Sequence, residues 1–557
     1  MSPITRKTFL TGAAAASLAA AGFPAAAFAE EAPAAEVATE TVKPGMQSCP
    51  MNESPNFYMP FEGTVAFEAD PVADELISST ADYDLVVCGS GFSGLCTAVS
   101  GANAGLSVVV LEKTAVFNSR GADLAVINGK FVEDAGGEFD QKVFYETALK
   151  ASQYRCSQLV WQKWIANCGV AVDWMVDLLG DAIEPSLNLA EDGSGTVTNN
   201  GVTVYRDQLN VKGGIYALSE ALYNKAVELG VTFEFETPAV QLVQDESGAV
   251  TGVVAKNADG YLKFNAAAGV ALCTGGYENN WDMLRACIPQ GDLVNGSWRL
   301  SCHENTGDGH MMGLALGAAI DGYPHAIMRA PGGPMKSHRI DCAGALYQPW
   351  VRVNESGDRF VNESLSVNYR VNAISQQANS HCWCLIAAPN GIEEAISSTS
   401  YRNGTQSISK KEPSELVDLL SDDFQVYDTI QELAEGCGID PEGLAATIAR
   451  LQEIHEAGED TDWGNDITFI FDWTSGPYYA IEEGGAALVT VNGLKTSPKS
   501  EVLDCAGTPI PGLYAIGNVS GNMFYGTYPH ELSGISHGRA LTFGYLLGQR
   551  LAGKIED

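Results

Sequence analysis

The stretch from Asp82 to Lys113 restricts the possible fold more than any other part of the chain. Tyr83 to Cys88 (YDLVVC) is a short apolar, β-branched run of the kind that a parallel sheet buries on both faces. Gly89-Ser90-Gly91-Phe92-Ser93-Gly94 follows, then small residues suited to a helix from Leu95 to about Ala104, then a second apolar strand, Ser107 to Leu111, closed by Glu112. Strand, G-x-G-x-x-G loop, helix, strand and acid in this order predict a βαβ unit that binds a dinucleotide. Gly89 permits the tight turn, Gly91 lets the backbone approach a pyrophosphate, and Gly94 allows the helix to pack closely on the strand. The pyrophosphate then sits on the amides at the helix N-terminus. Glu112 is placed to accept hydrogen bonds from both ribose hydroxyls.

A chain of 557 residues exceeds one simple core and predicts roughly two to four structural units. Acidic residues number 69 against 32 Lys and Arg, a net charge of −37, which excludes nucleic acid as a natural partner. Such a surface steers cationic molecules toward it, a basic electron-carrying protein among them. Arg6 and Lys7 precede an Ala-rich stretch, Phe9 to Phe28, that closes with Ala27-Phe28-Ala29. Residues 1–29 therefore read as an export signal to the outer face of a prokaryotic cytoplasmic membrane or the periplasm. Gly12, Gly22 and Pro24 in a weakly hydrophobic stretch argue against a permanent membrane span. Thr5-Arg6-Lys7-Thr8-Phe9-Leu10 resembles a twin-arginine signal with Lys in the second position. Residues 30–81, rich in Ala, Glu, Pro and Ser, read as an acidic tether outside the fold.

Thirteen cysteines include no C-x-x-C pair, so neither haem nor an iron–sulfur cluster is encoded. Cys382 and Cys384, straddling Trp383, read either as core residues or as a redox pair. The eight histidines show no metal-binding spacing, and no metal is expected.

Four further segments occur in the order found in one superfamily of flavoproteins. ALCTGGYENN (Ala271 to Asn280), NTGDGHMMGLALGA (Asn305 to Ala318), GDRFVNES (Gly357 to Ser364) and PGLYAIGN (Pro511 to Asn518) resemble segments of the fumarate reductase and 3-ketosteroid dehydrogenase flavoproteins, over Tyr83 to Gly553. The resemblance implies FAD. It also implies an α/β fold with a discontinuous Rossmann-like FAD-binding domain, 82–295 and 478–557, and an inserted α+β cap or substrate domain, 296–477. The cofactor residues it implies are Gly89, Ser90, Gly91, Phe92, Ser93 and Gly94 of the loop, with Glu112 and Lys113. Arg120, Gly121, Ala122 and Asp123 fall on the loop that lies along the pyrophosphate and flavin. Val240, Thr274, Gly275, Asp308, Asn518, Ile535 and Ser536 complete the set. The apolar helix beginning near Gly534 would set its N-terminal amides against a flavin carbonyl that gains negative charge on reduction.

The two branches of the superfamily need different chemistry. At the position where dicarboxylate reductases hold a carboxylate through arginine, this chain has Glu531, and their histidine position falls on Val489 or Thr490. A carboxylate at 531 repels a dicarboxylate. TYPHELSG (Thr527 to Gly534) instead resembles the T-Y-P-x-x-G loop of the ketosteroid dehydrogenases, with two extra residues. Carried over, the Tyr528 hydroxyl and the Gly534 amide bind a ketone oxygen. Arg370 and Tyr369 are the two candidates for the proton donor, while Arg359 orders its strand through Glu363. The expected activity is saturation of a carbon–carbon double bond next to a carbonyl in a small organic molecule. Electrons would come from a separate cytochrome or flavoprotein. A ketosteroid-type dehydrogenase working in the oxidative direction, a fumarate-like enoate reductase and a non-catalytic flavin electron carrier are the alternatives.

Overall fold

The computed structural model describes residues 58–59, 63–121, 123–189, 196–199, 202–205, 208–288, 297–298, 304–332, 348–399, 412–465, 467 and 470–556. Residues 1–29, read above as an export signal, and Ala122 lie outside the described residues.

The apolar run near Cys88 ends a long strand, Ile77–Cys88, at the heart of an eight-stranded sheet. It pairs in parallel with Val108–Leu111 on one side and Gly260–Leu272 on the other. Side chains alternate across this strand. Leu85 and Val87 enter one hydrophobic core, with Val108 and Val110, while Val86 and Cys88 enter a second, with Val109 and Leu111. Both faces are covered, which is why the strand reads as a continuous apolar run rather than an alternating one. Thr232–Glu234 extends the parallel part, and Ala239–Gln244 and Val250–Asn257 form an antiparallel meander with Gly260–Leu272. The chain returns to this sheet near its end, where Pro509–Ala515 pairs in parallel with Val270–Leu272. The dinucleotide fold is therefore discontinuous, as the resemblance implied.

The last helix, Ile535–Leu551, closes the unit against the first, Phe92–Asn103. Glycines set the separation of the two helices: a Cβ on Gly548 would stand 2.5 Å from the Gly101 amide nitrogen, and one on Gly544 3.1 Å from Cys96 Cβ. Ser100 Oγ donates to the Tyr545 carbonyl at 2.7 Å across the same seam.

A second sheet gathers Ile327–Gly332, Val351–Val353, His381–Ala387 and Gln425–Tyr427 around the long strand Tyr478–Thr490. The helices Ile430–Cys437 and Pro441–Ala457 cover it with a separate core that contains Trp350, Trp383 and Trp473. Tyr478–Thr490, assigned by resemblance to the returning half of the dinucleotide domain, is the strand on which this second sheet is built. Cys382 and Cys384 are fully buried in it, and burial pushes the Cys384 thiol up to about 12, which suits packing and not redox exchange.

The segment from 63 to 81 departs from the tether reading. Ile77 to Ala81 belong to the first strand, and Glu68 N donates to the Val240 carbonyl at 3.0 Å. Its Ala, Glu and Pro content hid backbone hydrogen bonds that composition does not report. No helix among the described residues is long and apolar enough to cross a membrane.

Substituting Gly548 with Val should force the two helices apart and cost about 1–3 kcal/mol, read as a lower urea midpoint with unchanged m-value.

Candidate active site

A cavity of about 530 Å³ runs from the glycine loop to the start of the last helix. Its first wall is backbone. Gly89 has φ +102°, and a Cβ there would lie 2.6 Å from the Cys273 carbonyl oxygen. A Cβ on Gly94 would lie 1.9 Å from the Gly89 oxygen, so no larger residue fits either position. Gly91, Phe92 and Ser93 line the cavity and present the first turn of a helix to it. Gly94 and Ser90 do not line it. Gly94 brings helix and strand together, and Ser90 serves Glu112.

Glu112 is buried, and its carboxylate is held in place from two sides. Oε2 accepts from Ser90 N and Ser90 Oγ, both at 2.8 Å, and Oε1 accepts from Thr114 N and Thr114 Oγ1, both at 2.9 Å. Four donors orient the carboxylate without neutralising it, which leaves an acceptor at the cavity wall. Lys113 and Asp308 also line the cavity, but bond to each other at 2.9 Å.

The opposite wall is assembled from distant segments. Thr274 and Gly275 follow the Gly260–Leu272 strand, and Arg120, Gly121 and Asp123 come from the loop after Lys113. Arg120 Nη2 lies 3.3 Å from Glu278 Oε1, and Glu278 is fully buried, so desolvation raises its carboxyl while the guanidinium opposes the shift. Asn518 Oδ1 accepts from Ser536 Oγ and from Arg539 Nη2, both at 2.8 Å, and so ties the returning strand to the last helix. Ile535 and Val240 do not line the cavity. Ile535 is core, and Val240 packs beside Ala66 and Val254 while its neighbours Pro238 and Ala239 take the cavity wall.

Contributions that motif reading missed come mostly from elsewhere in the chain. Met328 and Leu488 reach the cavity from the second sheet, where no local pattern marks them, beside Val489, one of the two positions matched to the dicarboxylate reductases' histidine. His537 is not among the missed residues, since its place at the start of the last helix makes it a candidate flavin neighbour or a polar first-turn residue; it lines the cavity, its Nδ1 2.9 Å from the Asp123 carbonyl, and burial pushes the imidazole down to about 4. His530 lies inside the quoted TYPHELSG segment and was passed over there.

At the far end, Tyr528 is almost fully buried and its hydroxyl accepts from the Ser536 amide at 3.3 Å. Gly534 is the N-cap of the last helix, with φ +76°, and lines the same end. His530, 6.1 Å from the Tyr528 ring, is held down to about 4 by burial and by the charge of Arg370. Tyr369 and Arg370 reach this region on the helix Val367–Ile374 but do not line the cavity. Asn372 Nδ2 on that helix donates to Thr527 Oγ1 at 3.1 Å, and Asn368 Nδ2 does the same. Tyr369 hydroxyl donates to Glu531 Oε2 at 3.2 Å, and Arg370 Nη1 to the Gln348 carbonyl at 2.7 Å. Arg359 grips Glu363 and Asp460, as a strand-ordering role requires. No group of His, Cys, Asp and Glu among the described residues could hold a metal ion.

The residues present suit a flavin dinucleotide. Glycines clear the pyrophosphate wall, a carboxylate waits beside the loop, and the buried hydroxyls of Ser119 and Thr274 line the cavity without a hydrogen-bond partner among the described residues. Unsatisfied polar groups in a buried wall call for a polar ligand. Glu112→Ala should weaken FAD binding roughly tenfold to a hundredfold, as measured by quenching of flavin fluorescence on titration.

Comparison with known proteins agrees with this geometry. The chain is 27% identical over 502 residues to the vinyl phenol reductase of Lactiplantibacillus plantarum, covering 84% of this chain and 96% of that protein. It is 25% identical over 481 residues to the fumarate reductase (cytochrome) of Shewanella frigidimarina, covering 84% and 77%. Its fold matches that of the 3-ketosteroid-Δ4-(5α)-dehydrogenase of Rhodococcus jostii RHA1 with a TM-score of 0.66, at 21% identity, over 86% of this chain and 99% of that one. The family described as FAD binding domain matches residues 84–535. With most of its length inside that match, the chain belongs to the FAD binding domain family and is an FAD-dependent oxidoreductase.

Proposed function

We propose that this protein saturates a carbon–carbon double bond conjugated to a carbonyl, on an organic substrate that is not a dicarboxylate. The observation that carries the reading is the pairing of Tyr528 with the Ser536 amide at the N-terminus of the last helix, beside Glu531 in place of an arginine. Bound and reduced, FAD supplies a hydride. The chain's own part is to receive the charge that develops on the substrate oxygen. A buried hydroxyl held by the amide of a helix N-terminus is suited to that, because it is fixed before reaction and its accepted hydrogen bond leaves its own proton to donate. Relatives named for reducing vinyl phenol and fumarate support reduction of a double bond as the general reaction.

Glu531 argues against a second carboxylate on the substrate. It is buried, it accepts a hydrogen bond from the Tyr369 phenol at 3.2 Å, and burial raises its carboxyl above the ordinary 4.5. Tyr369 and Glu531 form a hydrogen-bonded pair beside the Tyr528 loop but outside the cavity lining, so their part in bringing a proton to the α-carbon would be as a relay. Arg370 is engaged by a backbone carbonyl. We further propose that residues 1–29 direct export and that a separate protein brings the electrons, since no haem motif is encoded.

Anaerobic photoreduction followed by addition of enones, cinnamates and fumarate tests the reaction. Enones should reoxidise the flavin and fumarate should not; reoxidation by none of them would sink the reading in favour of an electron carrier. Tyr528→Phe should lower kcat/KM for the enone about a hundredfold, and an unchanged value would remove Tyr528 from the oxygen site.

Glu531 also makes a prediction about stability. Its folded pKa lies above the unfolded one, so the folded chain holds a proton that the unfolded chain has released, and stability falls as pH rises past 4.5. Glu531→Gln removes that loss. The variant should melt higher than the parent at neutral pH, with the difference closing as pH falls toward 4.5; a constant difference across a Tm series would contradict the assignment.

A further inference from the structure

We propose that residues 63–72 form a clasp across the adenosine end of the dinucleotide cavity and are part of the FAD site. The inference rests on the FAD reading above, but the segment lies upstream of the family match, which begins at residue 84. Lys113, Pro238, Ala239, Glu304 and Asp308 line this end of the cavity, next to the ribose-binding candidate Glu112.

The clasp has one foot on each wall. On the Glu304–Asp308 side, Thr64 N donates to Glu304 Oε2 at 3.3 Å and Ala66 N to Asp308 Oδ1 at 3.0 Å. On the Pro238–Ala239 side, Glu68 N donates to the Val240 carbonyl at 3.0 Å and Val72 N to Gln241 Oε1 at 3.1 Å. Gln241 Nε2 returns a hydrogen bond to the Asp70 carbonyl at 3.0 Å. Between the feet, Lys113 Nζ donates to the Thr64 carbonyl at 3.0 Å, to Thr306 Oγ1 at 2.9 Å and to Asp308 Oδ2 at 2.9 Å. Phe67 buries its ring in the core behind the sheet, and Ala66 packs on Val240 and Val254.

Lys113 and Asp308 therefore act through the clasp as positioning residues, which accounts for why two side chains at the cavity edge bond to each other and to the strap. While both feet are seated the two walls cannot separate, so a ligand between them leaves only after these bonds break. By reciprocity, a ligand that holds the walls together keeps the clasp seated.

The test uses the full-length chain reconstituted with FAD. Gln241→Leu removes the Val72 and Asp70 bonds of one foot and Ala66→Pro the Asp308 bond of the other, so each loosens one foot without touching a cavity-lining side chain. FAD release, followed as the rise in flavin fluorescence after dilution into apoprotein-free buffer, should accelerate about tenfold in either variant. The absorption spectrum of the bound flavin should not change. In the unsubstituted protein, removal of FAD should expose residues 63–81 to limited proteolysis, a readout that stands even where a variant does not fold. Unchanged release rates, or equal cleavage with and without FAD, would overturn the clasp. A chain that takes up no FAD at all would instead overturn the cofactor reading.

Discussion

The structure depends on a backbone approach that only glycine allows. Where the first strand ends, the chain must turn, start a helix and leave room for the end of the Gly260–Leu272 strand, all within a few ångströms. The Gly89 Cα, the Gly94 Cα and the Cys273 carbonyl meet there, and a methyl group on either glycine would overlap backbone. That contact sets the depth at which the first helix lies on the sheet. The helix in turn sets the last helix, through the close seam at Gly544 and Gly548, and the last helix carries the amides, Ser536 and His537 to the far end of the cavity. A shift at the glycine loop would therefore be felt at both ends of the site, since packed interiors transmit displacement.

Electrostatics makes the same site unusual. With 32 basic residues against 69 acidic ones, the chain still buries several of its arginines. Arg352 pairs with Glu483 at 2.9 Å, and Arg359 with Glu363 and Asp460, inside the second unit. Arg539 lies over the Phe524 ring at 4.8 Å and donates to Asn518. Against this pattern of paired buried charge, Glu531 is bonded to a tyrosine, and the desolvation of its carboxyl has no guanidinium to offset it.

The long strand Tyr478–Thr490 links the two units mechanically. Its beginning packs in the tryptophan-rich core of the second sheet, and Leu488 and Val489 near its end form part of the cavity wall. The helix Val367–Ile374, fastened to Thr527, makes a second connection from the same unit to the same loop. Motion of the second unit would thus act directly on the far end of the site, where Tyr528 and Glu531 stand.

Local spacing determined the phosphate loop, its helix and the acid at 112, because each depends on what a residue permits its immediate neighbours to do. The family resemblance marked Tyr528, Tyr369 and Arg370, although not that Tyr369 meets Glu531 while Arg370 turns to a backbone carbonyl. Segments separated by hundreds of residues decided the rest. Ser90 reads as a phosphate-loop residue and is in fact a support for Glu112; Val240 reads as a cofactor contact and packs behind the wall. The segment at 63–72 has a composition typical of a linker, but backbone amides carry its attachment, and those are the same for every residue except proline. Composition could not report it. Only the tertiary fold, by bringing Asp308 and Val240 to the two sides of one opening, supplied the partners those amides needed.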